Sequence, residues 1–503
     1  MNDQNIKRVV IAGGGTSGWM AGAILSQQLG KVLDITLVES EDIATVGVGE
    51  STVPPMRALN RLLGLDEQEF MRETAATFKL AIWFENWRKI GERYIHPFGT
   101  NGQPTWACDF HHYWLHSLKL GLDSGLGDYC LEWVAADKGR FETSPQSDIN
   151  FAYHVDAALY ARFLRKLAEK NGLKRIEGKI RSVDQNATTG YIESLTLESG
   201  QAVEGDLFLD CTGFRGLLIE QALNTGFEDW THWLLNDTAI ALQTENVAPV
   251  QPYTSAIAHE AGWRWNIPLQ HRTGNGWVFS SRHMSVDEAT SRLLAAVDGK
   301  PTRDPWTVKI RTGRRRKVWN KNCIALGLSS GFVEPLESTS IHMIMSTAIR
   351  LMHFFPHSGI DQSVVDRFNA EARQEIESIR DFIILHYNTT ERDDTAYWRY
   401  CKNMEIPDTL KSRIELFKSS AYAFQETREL FRIDSWTHVM LGQGMMPRDY
   451  HPAARSIPDE QLLTYLNKFK DTIAQRVTAM PTHQEFLDRY CPANRDVWGV
   501  LKV

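Results

Sequence analysis

Residues 7–18 read Lys-Arg-Val-Val-Ile-Ala-Gly-Gly-Gly-Thr-Ser-Gly, an apolar strand pattern that runs directly into a glycine-rich turn. A helical stretch follows over residues 19–29, and a second strand, residues 34–38, ends at Glu39. This order of strand, Gly-x-Gly-x-x-Gly, helix, strand and acidic residue, within about thirty residues, is the fingerprint of a dinucleotide-binding βαβ unit. The stretch therefore predicts an α/β fold built on a Rossmann-like sheet.

Each residue of this fingerprint has a distinct physical role. Gly13 permits the tight turn, Gly15 lets the backbone approach a pyrophosphate, and Gly18 lets helix and strand pack closely. Glu39 can accept a hydrogen bond from a ribose hydroxyl. The predicted cofactor-binding residues of this unit are Gly13, Gly15, Thr16, Ser17, Gly18 and Glu39.

Two later strands also end in glycine turns. Residues 203–209 lead into Asp210-Cys211-Thr212-Gly213, and residues 322–326 lead into Gly327. Three returns to one nucleotide site, near residues 13, 212 and 327, predict an interleaved FAD domain of the glutathione-reductase or hydroxylase type. Thr212 and Gly327 are therefore added to the predicted FAD contacts.

A second glycine-rich segment, residues 46–55, is expected to be a loop. Its sequence, Val-Gly-Val-Gly-Glu-Ser-Thr-Val-Pro-Pro, suits either a plain surface turn or a close backbone approach to a cofactor, and both interpretations stay open on physical grounds. On the second interpretation Gly49 and Ser51 contact the cofactor.

The predicted domain organisation is discontinuous. Residues 1–60, 180–225 and 310–355 form the FAD-binding module, 61–179 and 226–309 a substrate-side region, and 356–503 a helical C-terminal region. In the last region apolar residues recur at helical spacing, and Thr482-x-x-Glu485 is a capping-box pattern.

Composition narrows the function classes. The net charge of −7 argues against nucleic acid or an anionic membrane as the main partner, and no apolar stretch approaches the length of a membrane span. The six cysteines are scattered and need no disulfide, and no signal peptide is visible, so a reduced, cytoplasmic location is expected. No metal site is expected, because His111-His112 lacks ligand spacing and is interpreted as an incidental pair.

Three segments outside the nucleotide fingerprint carry candidate chemistry. Residues 333–340, Val-Glu-Pro-Leu-Glu-Ser-Thr-Ser, place a carboxylate beside hydroxyls at the entry to a predicted helix over 341–355, whose N-terminus can hold an anion. Lys79, read as part of a helix, shares a face with Trp83 and Trp87, and is either a surface lysine or a desolvated, reactive amine. Trp263 and Trp265 alternate on a strand, either packing a sheet or walling a flavin site.

Together these motifs resemble the flavin-dependent tryptophan halogenases. The resemblance is carried by Gly13-x-Gly15-x-x-Gly18-Trp19, Lys79, Trp263-x-Trp265-x-Ile267-Pro268 and Glu334-Pro335-Leu336-Glu337-Ser338-Thr339, and it spans at least residues 8–345. It implies an enzyme in which reduced FAD, oxygen and chloride or bromide give hypohalous acid, which travels to the lysine and halogenates an aromatic substrate.

The resemblance also assigns roles to residues. It implies that Lys79 and Glu337 are catalytic and pair with each other, that the backbone amides of Thr339 and Ser340 hold halide, and that His96 and Phe98 stack on the substrate. Because only one nucleotide fingerprint is present, a separate flavin reductase is expected to supply reduced FAD.

This chain departs from the family pattern in two places. Ser340 stands where the best-known members have glycine, so the halide preference is expected to differ. The motif that grips the amino-acid end of tryptophan is missing from residues 441–452, which points to a different substrate: a bare indole, another aromatic or a peptide-bound residue, with an indole or tryptophan-like compound expected. The alternatives are a flavin monooxygenase that hydroxylates an aromatic and a non-catalytic flavin-binding protein; a homodimer is left open.

Overall fold

A six-stranded sheet forms the first large layer of the protein. The computed structural model describes residues 5–43 and 49–494. In spatial order the strands of this sheet are Trp319–Asn320, Cys323–Ala325, Leu207–Asp210, Arg8–Ala12, Asp34–Glu39 and Lys174–Glu177. Neighbouring strands are parallel except in the hairpin over 319–325. The predicted α/β class with a parallel, Rossmann-like sheet is thus confirmed.

The core lies where this sheet packs against helix Thr16–Leu29. Val9, Ile11 and Leu37 are completely buried, and they share one apolar cluster with Ile24 of the helix. Burying each such side chain contributes about 1.5–3 kcal/mol. The turn between strand and helix is therefore held at a fixed position.

A seven-stranded sheet forms the second large layer. In order its strands are Trp306–Lys309, Thr238–Thr244, Thr273–Phe279, Gly262–Pro268, Tyr253–His259, Ala81–Glu85 and Arg93–Pro97. Only Tyr253–His259 and Ala81–Glu85 pair in parallel within it. Three small sheets have the strand orders Gly49–Ser51, Ala152–Asp156, Thr77–Lys79; Ala202–Glu204, Ile192–Leu197, Ile180–Gln185; and Phe227–Asp229, Gly313–Arg315, Gly331–Phe332.

Helices dominate the C-terminal part, as predicted. The α-helices are Thr16–Leu29, Met56–Leu62, Glu67–Glu73, Phe110–Lys119, Leu131–Asp137, Ala157–Lys170, Val286–Ala296, Ser340–His353, Gln362–Asn388, Ala396–Asn403, Asp408–Ser420, Ile433–Gly442, Asp459–Ala479 and His483–Tyr490. Thr482 and Glu485 form the predicted capping box. Within residues 5–43 and 49–494, no helix is long and apolar enough to cross a membrane.

The expectation that Lys79 lies on a helix is wrong. Lys79 ends strand Thr77–Lys79, which pairs with Ala152–Asp156, whereas Trp83 lies in Ala81–Glu85 of the seven-stranded sheet. The chain passes between the two sheets at Leu80, whose N–H donates to the Pro252 carbonyl. The strand partners are far away in sequence, so local spacing could not reveal them.

Two smaller expectations also need correction. Residues 49–51 form a strand rather than a loop, because they pair with residues 154–156; residues 46–48 of the same segment lie outside the described residues. The strand expected over 203–209 is two strands, Ala202–Glu204 and Leu207–Asp210, which belong to different sheets.

Candidate active site

The glycine turn after the first strand is shaped to admit a ligand on one side. Gly13 has φ +106°, and a Cβ there would lie 2.5 Å from the Cys211 carbonyl oxygen. A Cβ on Gly18 would lie 1.8 Å from the Gly13 carbonyl oxygen, so a side chain cannot fit there. Gly15 has open space at the same point and caps helix Thr16–Leu29. The free N–H groups of that helix end can hold a phosphate.

A cavity of about 610 Å³ begins at this turn, a volume within the range of ligand pockets. Every residue predicted to bind the cofactor lines it except Gly18, which is buried behind the turn. The Ser17 hydroxyl is buried and has no hydrogen-bond partner among the described residues. The open N-terminus of helix Thr16–Leu29, the unpaired Ser17 hydroxyl and the cavity together fit FAD.

Glu39 is fixed at the rim of this cavity by Trp19 and by Arg175, which the sequence analysis did not single out. Its Oε1 accepts a 2.7 Å hydrogen bond from Arg175 Nε, and its Oε2 accepts one of 3.3 Å from Trp19 Nε1. A Cβ on Gly14 would collide with this carboxylate. The carboxylate is therefore held in place beside the turn, where a ribose hydroxyl could reach it.

Two tryptophans on one strand form an apolar wall of the cavity. Trp263 and Trp265 point to the same face of Gly262–Pro268, with ring centroids 6.2 Å apart, as the alternation predicted. Trp263 Nε1 donates to Glu334 Oε2 at 3.2 Å. Glu334 also accepts from the Tyr387 hydroxyl at 2.7 Å and from Asn236 at 3.1 Å, and burial raises its pKa to about 7 despite these bonds.

Residues 334–338 have an unusual backbone. Glu334, Glu337 and Ser338 have φ of +75°, +65° and +60°, although none is glycine. Each such residue costs on the order of 1–3 kcal/mol, and such strain concentrates at functional sites. The segment places Glu337, Ser338 and Ser340 on the lining of the cavity.

Lys79 is completely buried beside this segment. Its Nζ donates to Ser338 Oγ at 2.8 Å and to the Thr52 carbonyl at 3.1 Å, and it lies 4.9 Å from the centre of the Phe98 ring. Burial lowers the pKa of Lys79 to about 7, although the nearby charge of Glu337 opposes the shift. The amine is therefore partly neutral at neutral pH, which allows it to act as a nucleophile.

Glu337 lies between two histidines. Its Oε2 bonds to His96 Nδ1 at 2.7 Å, and its Oε1 lies 3.0 Å from His386 Nε2. Burial works to raise the pKa of Glu337, but the two histidines outweigh it and lower the pKa to about 2. The expected direct pair of Glu337 with Lys79 is therefore corrected: Lys79 bonds to the Thr52 carbonyl and to Ser338, the residue after Glu337 in the chain.

His386 links Glu337 to a further buried network that the sequence analysis missed. Its Nδ1 bonds to the Tyr94 hydroxyl at 2.7 Å, and Gln443 donates to that hydroxyl at 3.2 Å. The His386 ring stacks on Phe84 with centroids 4.5 Å apart. One signal was available: His386 interrupts the apolar run 382–385 of a helix, where a buried polar residue needs a partner.

His96 and Phe98, predicted to stack on the substrate, lie next to Lys79 and Glu337. His96 is committed through Nδ1 to Glu337, while its Nε2 is buried without a partner. The rings of Phe382 and Phe431, stacked 3.8 Å apart, pack beside it. The residues thus form an aromatic box around the lysine and the glutamate.

Thr339 and Ser340 mark the start of helix Ser340–His353. Thr339 is fully buried, and its hydroxyl has no hydrogen-bond partner. Ser340 is the first helical residue and lines the cavity. The free amides at this end are placed to hold an anion at the cavity wall, and the role of the two residues stays a prediction.

Asp109, His111 and His112 bring one potential metal ligand each within 4.8 Å of one another. Part of this set is already engaged: His111 Nε2 bonds to the Ala421 carbonyl at 2.8 Å, and His112 Nδ1 accepts from the His451 N–H at 3.1 Å. The interpretation of His111-His112 as an incidental pair stays a prediction.

Comparisons with known proteins agree with this geometry. Residues 8–459 match the family described as tryptophan halogenase. The tryptophan 7-halogenase RebH of Lentzea aerocolonigenes is 34% identical, with 96% of this chain and 98% of that protein covered. The structure of Xcc4156, a flavin-dependent halogenase from Xanthomonas campestris, is 50% identical with a TM-score of 0.96, covering 97% of this chain and 99% of that one. BrvH, a flavin-dependent halogenase from Brevundimonas sp. BAL3, is 43% identical with a TM-score of 0.93, covering 97% and 100%.

Proposed function

This chain belongs to the tryptophan halogenase family and is a FAD-dependent halogenase, and we propose that it halogenates an indole-like aromatic in the aromatic box around Lys79 and Glu337. The observation that supports this most is the state of Lys79. The amine is fully buried and has a pKa of about 7. It bonds to Ser338, which lines the FAD cavity. Such an amine can capture an electrophilic halogen, which a fully protonated ammonium cannot.

We place the oxidation of the halide in the large cavity. Bound in its reduced form, FAD supplies the electrons that activate oxygen for the oxidation of chloride or bromide. We assign the halide to the N–H groups at Thr339 and Ser340, where the helix end favours an anion. Because this chain has one nucleotide fingerprint, reduced FAD would come from a separate flavin reductase.

Lys79, which does not line the FAD cavity, and Glu337 of the strained segment act on the substrate. Lys79 receives hypohalous acid, either by a hydrogen bond or as a haloamine, and presents the halogen to the ring. With a pKa of about 2, Glu337 is a carboxylate throughout the neutral range, so its main task is to stabilise the cationic ring intermediate. The separation keeps the substrate away from the flavin and from competing oxygen insertion.

The substrate class follows from what residues 441–452 do. The Gln443 side-chain amide donates hydrogen bonds to the Tyr94 hydroxyl and to the His386 carbonyl. It therefore supports the network around Glu337 rather than a ligand. With no tryptophan-gripping motif in this segment, we propose a bare indole or a related aromatic in preference to free tryptophan.

The proposal is tested with purified protein, FAD, a flavin reductase with its reductant, and chloride or bromide. A panel of indoles, phenols and tryptophan is analysed by mass spectrometry for the halogen isotope pattern. We expect halogenated indole from the wild type, and no product but normal FAD binding from Lys79→Ala. The exposed lysine variant Lys170→Ala serves as control and should match the wild type. Full activity of Lys79→Ala, or a hydroxylated product without halogen, would overturn the assignment.

A further inference from the structure

A small second cavity, here called the arginine pocket, lies behind helix Ser340–His353. Its volume is about 20 Å³, enough for one water-sized particle. Helix Ser340–His353 contributes part of its wall, and so does helix Gln362–Asn388. Five arginines line it: Arg314, Arg315, Arg316, Arg350 and Arg373.

Two of these arginines have buried donors that no acceptor within residues 5–43 and 49–494 satisfies. Arg350 is 7% exposed, and its Nε and Nη1 have no hydrogen-bond partner; Nε lies 3.9 Å from Glu371, too far for a bond. Arg314 is 8% exposed; its Nη2 pairs with Glu228 at 2.7 Å and with Glu377 at 3.1 Å, but its Nε also lacks a partner. Leaving a buried charged donor unsatisfied costs more than the 1–3 kcal/mol of a neutral group.

The acidic residue in the wall does not compensate these donors. Glu375 gives Oε1 to His342 at 3.1 Å and Oε2 to Arg350 Nη2, and these partners lower its pKa to about 2 although burial opposes the shift. Each of its oxygens therefore already accepts a hydrogen bond from another donor. The exposed arginines Arg316 and Arg373 add positive charge at the rim.

We propose that the arginine pocket binds one halide ion. The unsatisfied buried side-chain atoms among its lining residues are all donors, and an anion accepts from all of them at once. A water molecule carries no charge to offset the guanidinium groups, and sulfate or phosphate exceeds the volume. A monatomic anion is the ligand that fits both the charge and the size.

The position of this site suggests its use. Met343 lines both the arginine pocket and the FAD cavity, and the neighbours Ser330 and Gly331 line one cavity each. The Met343 side chain would therefore separate a halide in the arginine pocket from the FAD cavity, which Ser340 also lines. The inferred role, a halide reservoir for the flavin site, rests on the proposed function.

Crystals of the full-length wild type grown in sodium bromide test the site directly. At the bromine absorption edge we expect an anomalous peak in contact with Arg350 and Arg314, separate from any peak at Thr339–Ser340. Arg350→Lys keeps a cation beside Glu375 but removes the unpaired guanidinium donors, so it should lose this peak. A dry or water-filled pocket in the wild type, or a peak unchanged in Arg350→Lys, overturns the proposal.

A kinetic pair tests the reservoir role independently of that variant. Arg316→Gln removes one charge at the rim, and Lys317→Gln removes the same charge from the exposed neighbour that does not line the pocket. We expect Arg316→Gln to raise the bromide KM up to about fivefold without changing kcat, since exposed charge pairs contribute about 0.2–1 kcal/mol. Equal bromide KM in the two variants contradicts the reservoir. A bromide peak without any halogenated product would leave the site standing and refute the proposed function instead.

Discussion

Replacing Lys79 by methionine should change the stability of the protein in a pH-dependent way. Methionine has a similar length and no charge, so the variant removes the only group of this side chain that titrates. The folded state holds Lys79 with a pKa of about 7, whereas the unfolded chain has the ordinary value of 10.5. Burial of the amine is the cause, and the Glu337 charge offsets only part of it.

The sign and size follow from proton linkage. Between pH 7 and 10.5 the unfolded wild type binds about one proton more than the folded state, so its free energy of unfolding rises with pH in this window. The penalty for burying the charge is complete below pH 7 and disappears toward pH 10.5. At about 1.36 kcal/mol per pKa unit, the wild type gains about 2 kcal/mol between pH 7 and pH 9 that Lys79→Met cannot gain.

Urea denaturation followed by circular dichroism at pH 7 and pH 9, without added flavin, measures this difference. Lost hydrogen bonds to Ser338 and Thr52 shift the variant equally at both pH values, so they cancel from the comparison. The exposed variant Lys170→Met is the control and should track the wild type. If the difference between wild type and Lys79→Met is the same at both pH values, the neutral amine near pH 7 is refuted, and with it the nucleophilic role.

Three further variants probe the neighbouring groups. Glu337→Gln removes the charge that we propose stabilises the cationic ring, and should lower kcat at least about a hundredfold with FAD binding intact; a smaller loss would contradict its role. Tyr94→Phe removes one hydrogen bond to His386, and should lower kcat about two- to tenfold, as expected for a bond of about 0.5–1.5 kcal/mol; an unchanged kcat would show that the Tyr94–His386 bond does not support Glu337. Ser340→Gly removes a hydroxyl donor and bulk beside the halide, and should shift product from chloride toward bromide when equal halides compete, as measured by mass spectrometry; an unchanged ratio would place the halide elsewhere.

The FAD side of the site could be predicted because its geometry is local. Gly13 needs positive φ, Gly18 needs contact with the turn, and both constraints act within one βαβ unit, so a short pattern encodes them. The alternation of Trp263 and Trp265 is equally local, because a strand places every second side chain on one face.

The chemistry around Lys79 could not be derived this way. Lys79 pairs through its strand with Ala152, bonds to Ser338 and lies over Phe98, and none of these is near it in sequence. Resemblance supplied the candidate catalytic residues but misplaced their pairing, because the left-handed backbone at residues 337–338 turns Glu337 toward the histidines. The roles of Tyr94 and Gln443 were not predicted, because nothing in a single sequence indicates a hydrogen bond between buried groups that are far apart in the chain.

The two glutamates of Glu334-Pro335-Leu336-Glu337 show how one short segment serves two tasks. Hydroxyl, amide and indole donors surround Glu334, and none of them carries charge, so burial dominates and its pKa rises to about 7. Two histidines surround Glu337, and their interactions overcome the same burial, so its pKa falls to about 2. A carboxyl that is readily neutral can stay in the protein interior and tie the strained backbone to Trp263 and Tyr387. The ionised one then has a fixed position from which to stabilise positive charge, because preorganised groups do not have to reorient during the reaction.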